Sequence, residues 1–178
     1  DASSDDIMSA VNAAGTVAVT ADYGFDSLEI CDGKAVYLAR WNALGDDYTR
    51  LTEYIFSDKV KKIGHNVKNL MTQLIAEKLP IDGFEYDTAL ACYLLDATAG
   101  DYGLSRMSIG YCGTELAGAE AVYRLRESTE KKLTQLGMTK LFYDIEMPLC
   151  RVLADMQEHG FMIDRAALSS FGESLTGT

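Results

Sequence analysis

The sequence of 178 residues lacks three features that define common classes of protein. No apolar run approaches the roughly 18 residues that a membrane-spanning helix needs. The opening residues, DASSDD, have neither the basic region nor the apolar core of a signal peptide. The four cysteines include no C-x-x-C pair, which favours buried thiols in a reducing cytoplasm over a metal site or disulfides. We therefore expect a cytoplasmic protein that has no membrane partner.

Positive charge is also scarce in this chain. It has 16 Lys and Arg residues against 27 Asp and Glu residues, and its net charge is −11. Phosphate contacts need basic side chains, so this balance argues against the chain binding nucleic acid by itself. The densest basic group favours a solvated face over a phosphate contact; it consists of Lys59, Lys61, Lys62 and Lys68.

The first ninety residues carry the patterns of strands that later alternate with helices. Three strands are predicted, at 16–22 (TVAVTAD), 27–31 (SLEIC) and 34–39 (KAVYLA). Asp32-Gly33 between the last two predicts a hairpin, because both positions of such a turn favour positive φ. Another short strand is expected in KVKKIGHN, followed by a helix over 67–78. An extended stretch and a helix capped by Asp87 come next.

The chain beyond residue 100 has an almost wholly helical pattern. Two apolar faces are predicted from its 3.6-residue periodicity. Pro148 lies inside the second face and should kink that helix or begin a new one. The first face comprises Val122, Leu125, Leu133 and Leu136, and the second Ile145, Leu149, Val152 and Leu153. The order of elements predicts an α/β domain on a mixed sheet, followed by helices.

The stretch IGHNVKNLMTQL (63–74) predicts a strand end that opens onto an amphipathic helix. Such a strand tip is a common place for a metal ligand. Here the position that faces back toward the strand is Leu70, and the stretch contains no carboxylate.

Three segments together resemble one protein family. YDIEMPLCRVLADMQEHGFMIDRAAL (143–168) resembles the entry to the polymerase region of family A DNA polymerases of the bacterial polymerase I type. GHNVKNL and YDTALACYLLD resemble the second motif and the following helix of that family's 3′–5′ exonuclease domain, and TVAVTAD resembles its first strand. The resemblance implies a ribonuclease-H-like exonuclease domain over 1–138 and the truncated start of a polymerase region over 139–178.

The resemblance also implies which positions should hold metal ions. Exonucleases of this family use two metal ions held by carboxylates, because hard ions such as Mg²⁺ need several oxygen ligands. The first motif supplies an aspartate and a glutamate two residues apart, and Thr20 and Asp22 stand in those places. The second motif has an aspartate four residues after Asn66, where this chain has Leu70.

The third motif pairs a tyrosine with an aspartate four residues later. In the matching segment, ELAGAEAVYRLRE, one alignment puts Thr114 and Gly118 at those places. A shift by two brings in Glu120 as the acid but puts Leu116 in place of the tyrosine. The pair is broken in either alignment.

At most two of the four acids remain, so the resemblance implies a catalytically inactive scaffold without cofactor, with Asp22 as a weak metal candidate. Both chain ends look cut, so we expect a fragment of a DNA-directed DNA polymerase of replication and repair. Its polymerase residues would lie beyond Thr178 and would use Mg²⁺. Its expected partners are DNA, through that polymerase, and the rest of the same polypeptide. A 5′ nuclease domain is the candidate for the part that precedes this segment.

Two alternatives stay open from the sequence. One is an active exonuclease whose ligands have been relocated, with the acids Asp22, Asp26, Asp87 and Glu120. The other is a module that binds single-stranded DNA by stacking bases on Tyr23, Phe25 and Tyr86. His65 is interpreted as a hydrogen-bonded surface histidine in preference to a general base, and Asp87 as a helix cap in preference to a ligand.

Overall fold

A computed structural model describes residues 2–176 and shows a five-stranded mixed sheet with flanking helices. The strands are β1 (Thr16–Ala21), β2 (Ser27–Cys31), β3 (Val36–Arg40), β4 (Lys61–Gly64) and β5 (Phe84–Asp87). The helices are α1 (Ser4–Ala14), α2 (Trp41–Leu44), α3 (Asp46–Phe56), α4 (Val67–Ala76), α5 (Thr88–Leu95), α6 (Leu104–Cys112), α7 (Gly118–Gln135), α8 (Met147–His159) and α9 (Arg165–Thr176), with a π-helix (Leu141–Glu146) before α8.

The sheet has the order β3-β2-β1-β4-β5. Strand β1 is antiparallel to β2 and parallel to β4, and β4 is parallel to β5. The predicted α/β fold, with a mixed sheet and flanking helices, is confirmed. Because β1, β4 and β5 run in the same direction, their carboxyl ends meet at one edge of the sheet, where ligand sites of α/β folds commonly lie.

Alternating residues of β1 pack into two separate hydrophobic cores, one on each face of the sheet. Val17 and Val19 point to the face covered by α1 and α3, whereas Ala18 points to the face covered by α5 and α7. All three residues are fully buried. A strand that is covered on both faces reads as a continuous apolar run, which explains the sequence VAV in β1.

The predicted hairpin between β2 and β3 forms, but with a different turn. Cys31 pairs with Val36, so the connection has four residues and not two. Asp32 Oδ1 accepts hydrogen bonds from the backbone N–H groups of Lys34 (2.8 Å) and Ala35 (2.7 Å). Gly33 has a φ of 86°, and Asp32 does not adopt positive φ. The aspartate therefore acts through its side chain, and only the glycine supplies the left-handed backbone.

The prediction that the second apolar face, which runs from the π-helix into α8, packs inward is wrong. Its four members Ile145, Leu149, Val152 and Leu153 are 40–57% exposed. Instead, Cys150 and Ala154 are buried and pack against Val67 and Met71 of α4. The side chains of α8 that face α4 are the small ones. A prediction based on large apolar residues does not detect such a face. Pro148 lies in the first turn of α8, as predicted for a helix start. On α7, the predicted Leu136 follows the last helical residue and is 61% exposed.

Lys62 corrects the prediction of a solvated basic face. It is fully buried, and its ammonium group donates hydrogen bonds to the backbone carbonyls of Ser57 (3.0 Å), Val60 (2.8 Å) and Asp82. Burial lowers its pKa to about 7, although the charges of Asp82, Asp58 and Glu85 act in the opposite direction. The lysine thus joins the segment before β4 to the segment before β5.

Lys61 and Lys68 of that group have partners of their own. The ammonium group of Lys61 pairs with Glu85 at 2.7 Å, and that of Lys68 donates to Gln157 at 3.1 Å. The group is therefore not a single basic surface.

The lowered pKa of Lys62 predicts a pH dependence of stability. Between pH 7 and the ordinary lysine value of 10.5, the unfolded chain binds more protons than the folded chain, so the free energy of unfolding should rise with pH. Relative to Lys62→Met, the native chain should gain up to about 1.4 kcal/mol per pH unit. Urea unfolding at pH 7, 8 and 9 measures this slope. Lys61→Met, which alters an exposed lysine, should keep the native slope; equal slopes for Lys62→Met and the native chain would contradict the prediction.

Candidate functional site

A cavity of about 270 Å³ lies at the carboxyl edge of β1 and β4. Thr20 at the end of β1 and Leu70 in the first turns of α4 both line it, together with Leu104 at the start of α6. Parallel pairing of β1 with β4 brings the first and second motif positions to one place. The complete lining is Val19, Thr20, Ala21, His65, Asn66, Asn69, Leu70, Gln73 and Leu104.

The lining of this cavity does not fit a pair of divalent ions. It offers a hydroxyl, three amides and an imidazole, and none of these lining residues carries a carboxylate. Mg²⁺ is held through carboxylates, and two ions close together need several of them. The described residues therefore give this cavity the shape of a cleft without the donor set of a two-metal centre.

Asp22 lies outside the cavity and closes the turn between β1 and β2. Its Oδ1 accepts a hydrogen bond from the Ser27 backbone N–H at 2.8 Å, and its own backbone N–H donates to the Ser27 carbonyl at 3.2 Å. The side chain is exposed. Its observed role is that of a turn residue.

Gly118 begins α7 and packs against a carboxylate from β2. Glu29 Oε2 accepts a hydrogen bond from the Ala119 backbone N–H at 3.1 Å. A Cβ atom at Gly118, where φ is +59°, would lie 1.8 Å from that oxygen. An acidic side chain at position 118 is therefore incompatible with this packing. Sequence reasoning missed Glu29, since its partner lies 90 positions away.

Glu120, the alternative acid of the third motif, is exposed on α7. Burial raises the pKa of the Cys31 thiol, and the charge of Glu120 adds to this shift. Glu120 therefore lies beside β2 and is absent from the lining of the cavity. Neither alignment of the third motif brings an acid to Thr20 and Leu70.

Asp87 binds the amino-terminal ends of two helices. Its carboxylate accepts hydrogen bonds from Ala89 (2.9 Å) and Leu90 (3.3 Å) of α5, as its predicted role as a cap requires. It also accepts from Asn66 (2.8 Å) and Val67 (2.7 Å) at the start of α4. The side chain is buried, and burial raises its pKa while the amide donors act to lower it. The second cap was missed because Asn66 lies 21 positions earlier.

His65 is half-buried and hydrogen-bonded, as predicted, but less exposed than a fully surface residue. Its Nδ1 lies 2.8 Å from Thr88 Oγ1, whose hydroxyl donates to the Gly64 carbonyl at 3.2 Å. The hydroxyl has a single proton, so Nδ1 is the donor to it in the tautomer that leaves the Gly64 contact in place. Burial lowers the pKa of His65, and the charge of Asp87 and the Tyr102 backbone oppose this. The ring therefore joins β4 to α5.

Comparisons with known proteins agree with the resemblance in the sequence. No family model matches the chain. DNA polymerase I of Mycobacterium tuberculosis is 25% identical over 175 residues, covering 81% of this chain and 19% of its own length. The Bacillus subtilis enzyme of that name is 28% identical over 149 residues, covering 69% and 17%. That of Caldicellulosiruptor bescii is 28% identical over 134 residues, covering 70% and 16%. The chain resembles bacterial DNA polymerase I.

A solved structure agrees on the fold. The POL domain of Pol1 from M. smegmatis, in complex with DNA primer-template and dNTP, superposes with a TM-score of 0.77 at 22% identity. The match covers 90% of this chain and 31% of that one. The chain thus spans less than a fifth of the curated DNA polymerase I relatives and about a third of the solved chain.

The acids proposed for a relocated nuclease centre do not come together. Asp22 and Asp26 are exposed near the turn after β1, Asp87 is buried beneath two helices, and Glu120 is exposed on α7. Within residues 2–176, no group of three or more His, Cys, Asp or Glu side chains is placed to hold a metal ion.

The aromatic residues proposed for base stacking do not form an accessible set. Tyr23 is 90% exposed, but Phe25 is 6% exposed and Tyr86 only 1%. Two of the three rings are therefore unavailable to a nucleic-acid strand. None of the helices in the described range 2–176 has the length and apolar content that crossing a bilayer requires.

The double cap at Asp87 predicts a large loss of stability in Asp87→Asn. The amide retains one acceptor oxygen and turns an NH₂ group toward backbone donors, so the free energy of unfolding should fall by about 2–4 kcal/mol. Denaturant unfolding measures the change. Asp101→Asn is the matched control, because Asp101 accepts from Gly103 in an exposed turn and its loss should cost under about 1 kcal/mol. Similar losses in both variants would contradict the importance of the buried cap.

Proposed function

We propose that this chain is part of a DNA-directed DNA polymerase, and that residues 1–138 form a catalytically inactive exonuclease-like scaffold. The polymerase region begins at residue 139 in this proposal. DNA is then a partner through the polymerase, which uses Mg²⁺. The polymerase acts in the cytoplasm, in DNA replication and repair. Support comes from the curated relatives, which are named DNA polymerase I.

One observation carries the inactive part of the proposal. Thr20 and Leu70 line the same cavity, where two motifs of the resembling family place carboxylates, and no lining residue supplies an acid. A threonine hydroxyl and a leucine cannot neutralise two divalent cations. At the third motif, Glu29 occupies the space that a side chain at Gly118 would need. The frame of the cleft is retained while the charge that attracts metal ions is lost.

Packing of α8 supports a scaffolding role. Cys150 and Ala154 of α8 share a buried cluster with Val67 and Met71 of α4. Arg151 Nη1 also lies 2.6 Å from Asp82 Oδ1, but both side chains are about half exposed, so this pair adds little. Met147 of α8 also lies in a second buried cluster, with Ile63 and Tyr86. These apolar contacts fix α8, the first α-helix of the proposed polymerase region, on the exonuclease-like domain.

The first test is degradation of DNA by this chain. We expect no shortening of 3′-labelled single-stranded DNA in Mg²⁺ or Mn²⁺ at high protein concentration, with EDTA as the control. EDTA-sensitive shortening that disappears in Asp22→Ala would mean that the acids have been regrouped, and the scaffold proposal would then be wrong. Shortening that persists in Asp22→Ala and stays with the chain through further purification would also contradict the scaffold proposal, whereas shortening that purification removes belongs to a contaminating nuclease.

A second test returns acids to the cavity. In Thr20→Asp/Leu70→Asp, two carboxylates should face one another across it, so Mn²⁺ at about ten times its Kd should stabilise the fold by about 1.4 kcal/mol. The melting temperature should then rise by about 3–6 °C on adding Mn²⁺. Thr20→Asn/Leu70→Asn keeps the shape without the charge and should show no such shift.

Equal responses of the two double variants to Mn²⁺ would contradict the assignment of the cavity. Gly118→Asp is unsuitable for this test, because its Cβ atom would collide with Glu29. The control and test variants differ only in an amide for a carboxylate at each site, so differences in packing are small.

A further inference from the structure

A second cavity, of about 290 Å³, combines aromatic rings with carboxylates. It lies between the turn after β1 and helix α3. It shares no lining residue with the cavity lined by Thr20 and Leu70. Phe25, Trp41 and Tyr48 line it, and so do the acids Asp26 and Glu77; of the three rings, only that of Trp41 is substantially exposed. This combination of side chains has no role in the function proposed above.

The aromatic side of this cavity is held in place by hydrogen bonds. Tyr48 is buried, and its hydroxyl donates to the Phe25 carbonyl at 2.7 Å. The Trp41 backbone N–H donates to the Asp26 carbonyl at 2.9 Å. The Trp41 and Tyr48 rings meet edge to face, with centroids 6.3 Å apart. Trp41 is 46% exposed, so part of its indole is accessible from solvent.

The electrostatic environment of the cavity is negative. Burial raises the pKa of Tyr48 to about 12, and the charges of Asp22 and Asp26 add to that shift. Glu77 contributes a second carboxylate to the lining itself, beside Asp26. A cation entering the cavity would meet both this field and the electron-rich face of the indole, which is the strongest aromatic partner for cations.

We propose that this cavity binds the side chain of an arginine carried by a basic segment of a partner protein. The guanidinium group is planar, stacks on aromatic faces and is weakly hydrated, so it suits an indole wall with carboxylates at the rim better than an ammonium group does. Its N–H groups can donate two parallel hydrogen bonds to the carboxylate of Asp26 or of Glu77. The net charge of −11 favours a basic partner over an acidic one.

Trp41 provides the measurement, because it is the only tryptophan in the chain. Its fluorescence, and the one indole N–H resonance in a ¹⁵N–¹H spectrum, report on this cavity alone. We would titrate the whole chain with N-acetyl-arginine amide, N-acetyl-lysine amide and N-acetyl-citrulline amide at constant ionic strength. We expect a saturable response to the arginine probe, at least fivefold weaker binding of the lysine probe, and no saturation with citrulline.

Charge-neutralising variants identify the site. Asp26→Asn and Glu77→Gln should each weaken binding of the arginine probe by at least fivefold. Glu53→Gln is the control. It removes an exposed acid from α3, the helix that lines the cavity, at a position outside the lining, and it should bind like the native chain. The proposal is overturned if arginine and citrulline give the same response, or if Asp26→Asn and Glu77→Gln both leave the Kd unchanged. The outcome is independent of any nuclease activity.

Discussion

The buried carboxylate of Asp87 is the interaction on which the architecture around the cleft depends. It stands at the end of β5 and binds backbone N–H groups of both α4 and α5. The amino-terminal ends of these helices carry partial positive charge, so one negative side chain stabilises both at once. Since Leu70 and His65 lie on either side of the start of α4, the shape of the cavity lined by Thr20 and Leu70 follows from this cap. Without it, two helices would begin in an apolar environment with unpaired amides.

Among the described residues, the buried charged groups Asp87 and Lys62 and the half-buried Glu29 bind the backbone of this chain. Asp87 caps two helices, Glu29 binds the start of α7, and Lys62 donates to three carbonyls. None of these interactions needs a cation or a substrate. A domain whose buried charges are all satisfied internally keeps its fold when the acids of a metal centre are lost. This independence is consistent with the proposed role as a scaffold.

Short-range signals in the sequence predicted much of the fold, and long-range contacts account for what was missed. The bounds of β2, the cap of α5 by Asp87 and the start of α8 near Pro148 were each predicted from residues within a few positions. Burial of Lys62 depends on Asp82, which lies 20 positions away, and the inward face of α8 depends on α4. At the candidate site, motif spacing brought Thr20 and Leu70 together, whereas the packing of Glu29 on Gly118 left no local pattern.

The π-helix at Leu141–Glu146 has a consequence for how this segment tolerates insertions and deletions. A π-turn holds one residue more than an α-turn, and each residue of an α-helix turns the chain by about 100°. Loss of a single residue there would convert the turn to an ordinary one without rotating α8, because the wider π-turn already accommodates the extra residue within one turn. Cys150 and Ala154 would keep their contact with Val67, whereas the same deletion inside α8 itself would rotate the residues after it by about 100°. The segment before α8 is thus the place where this part of the chain best tolerates the loss of a residue.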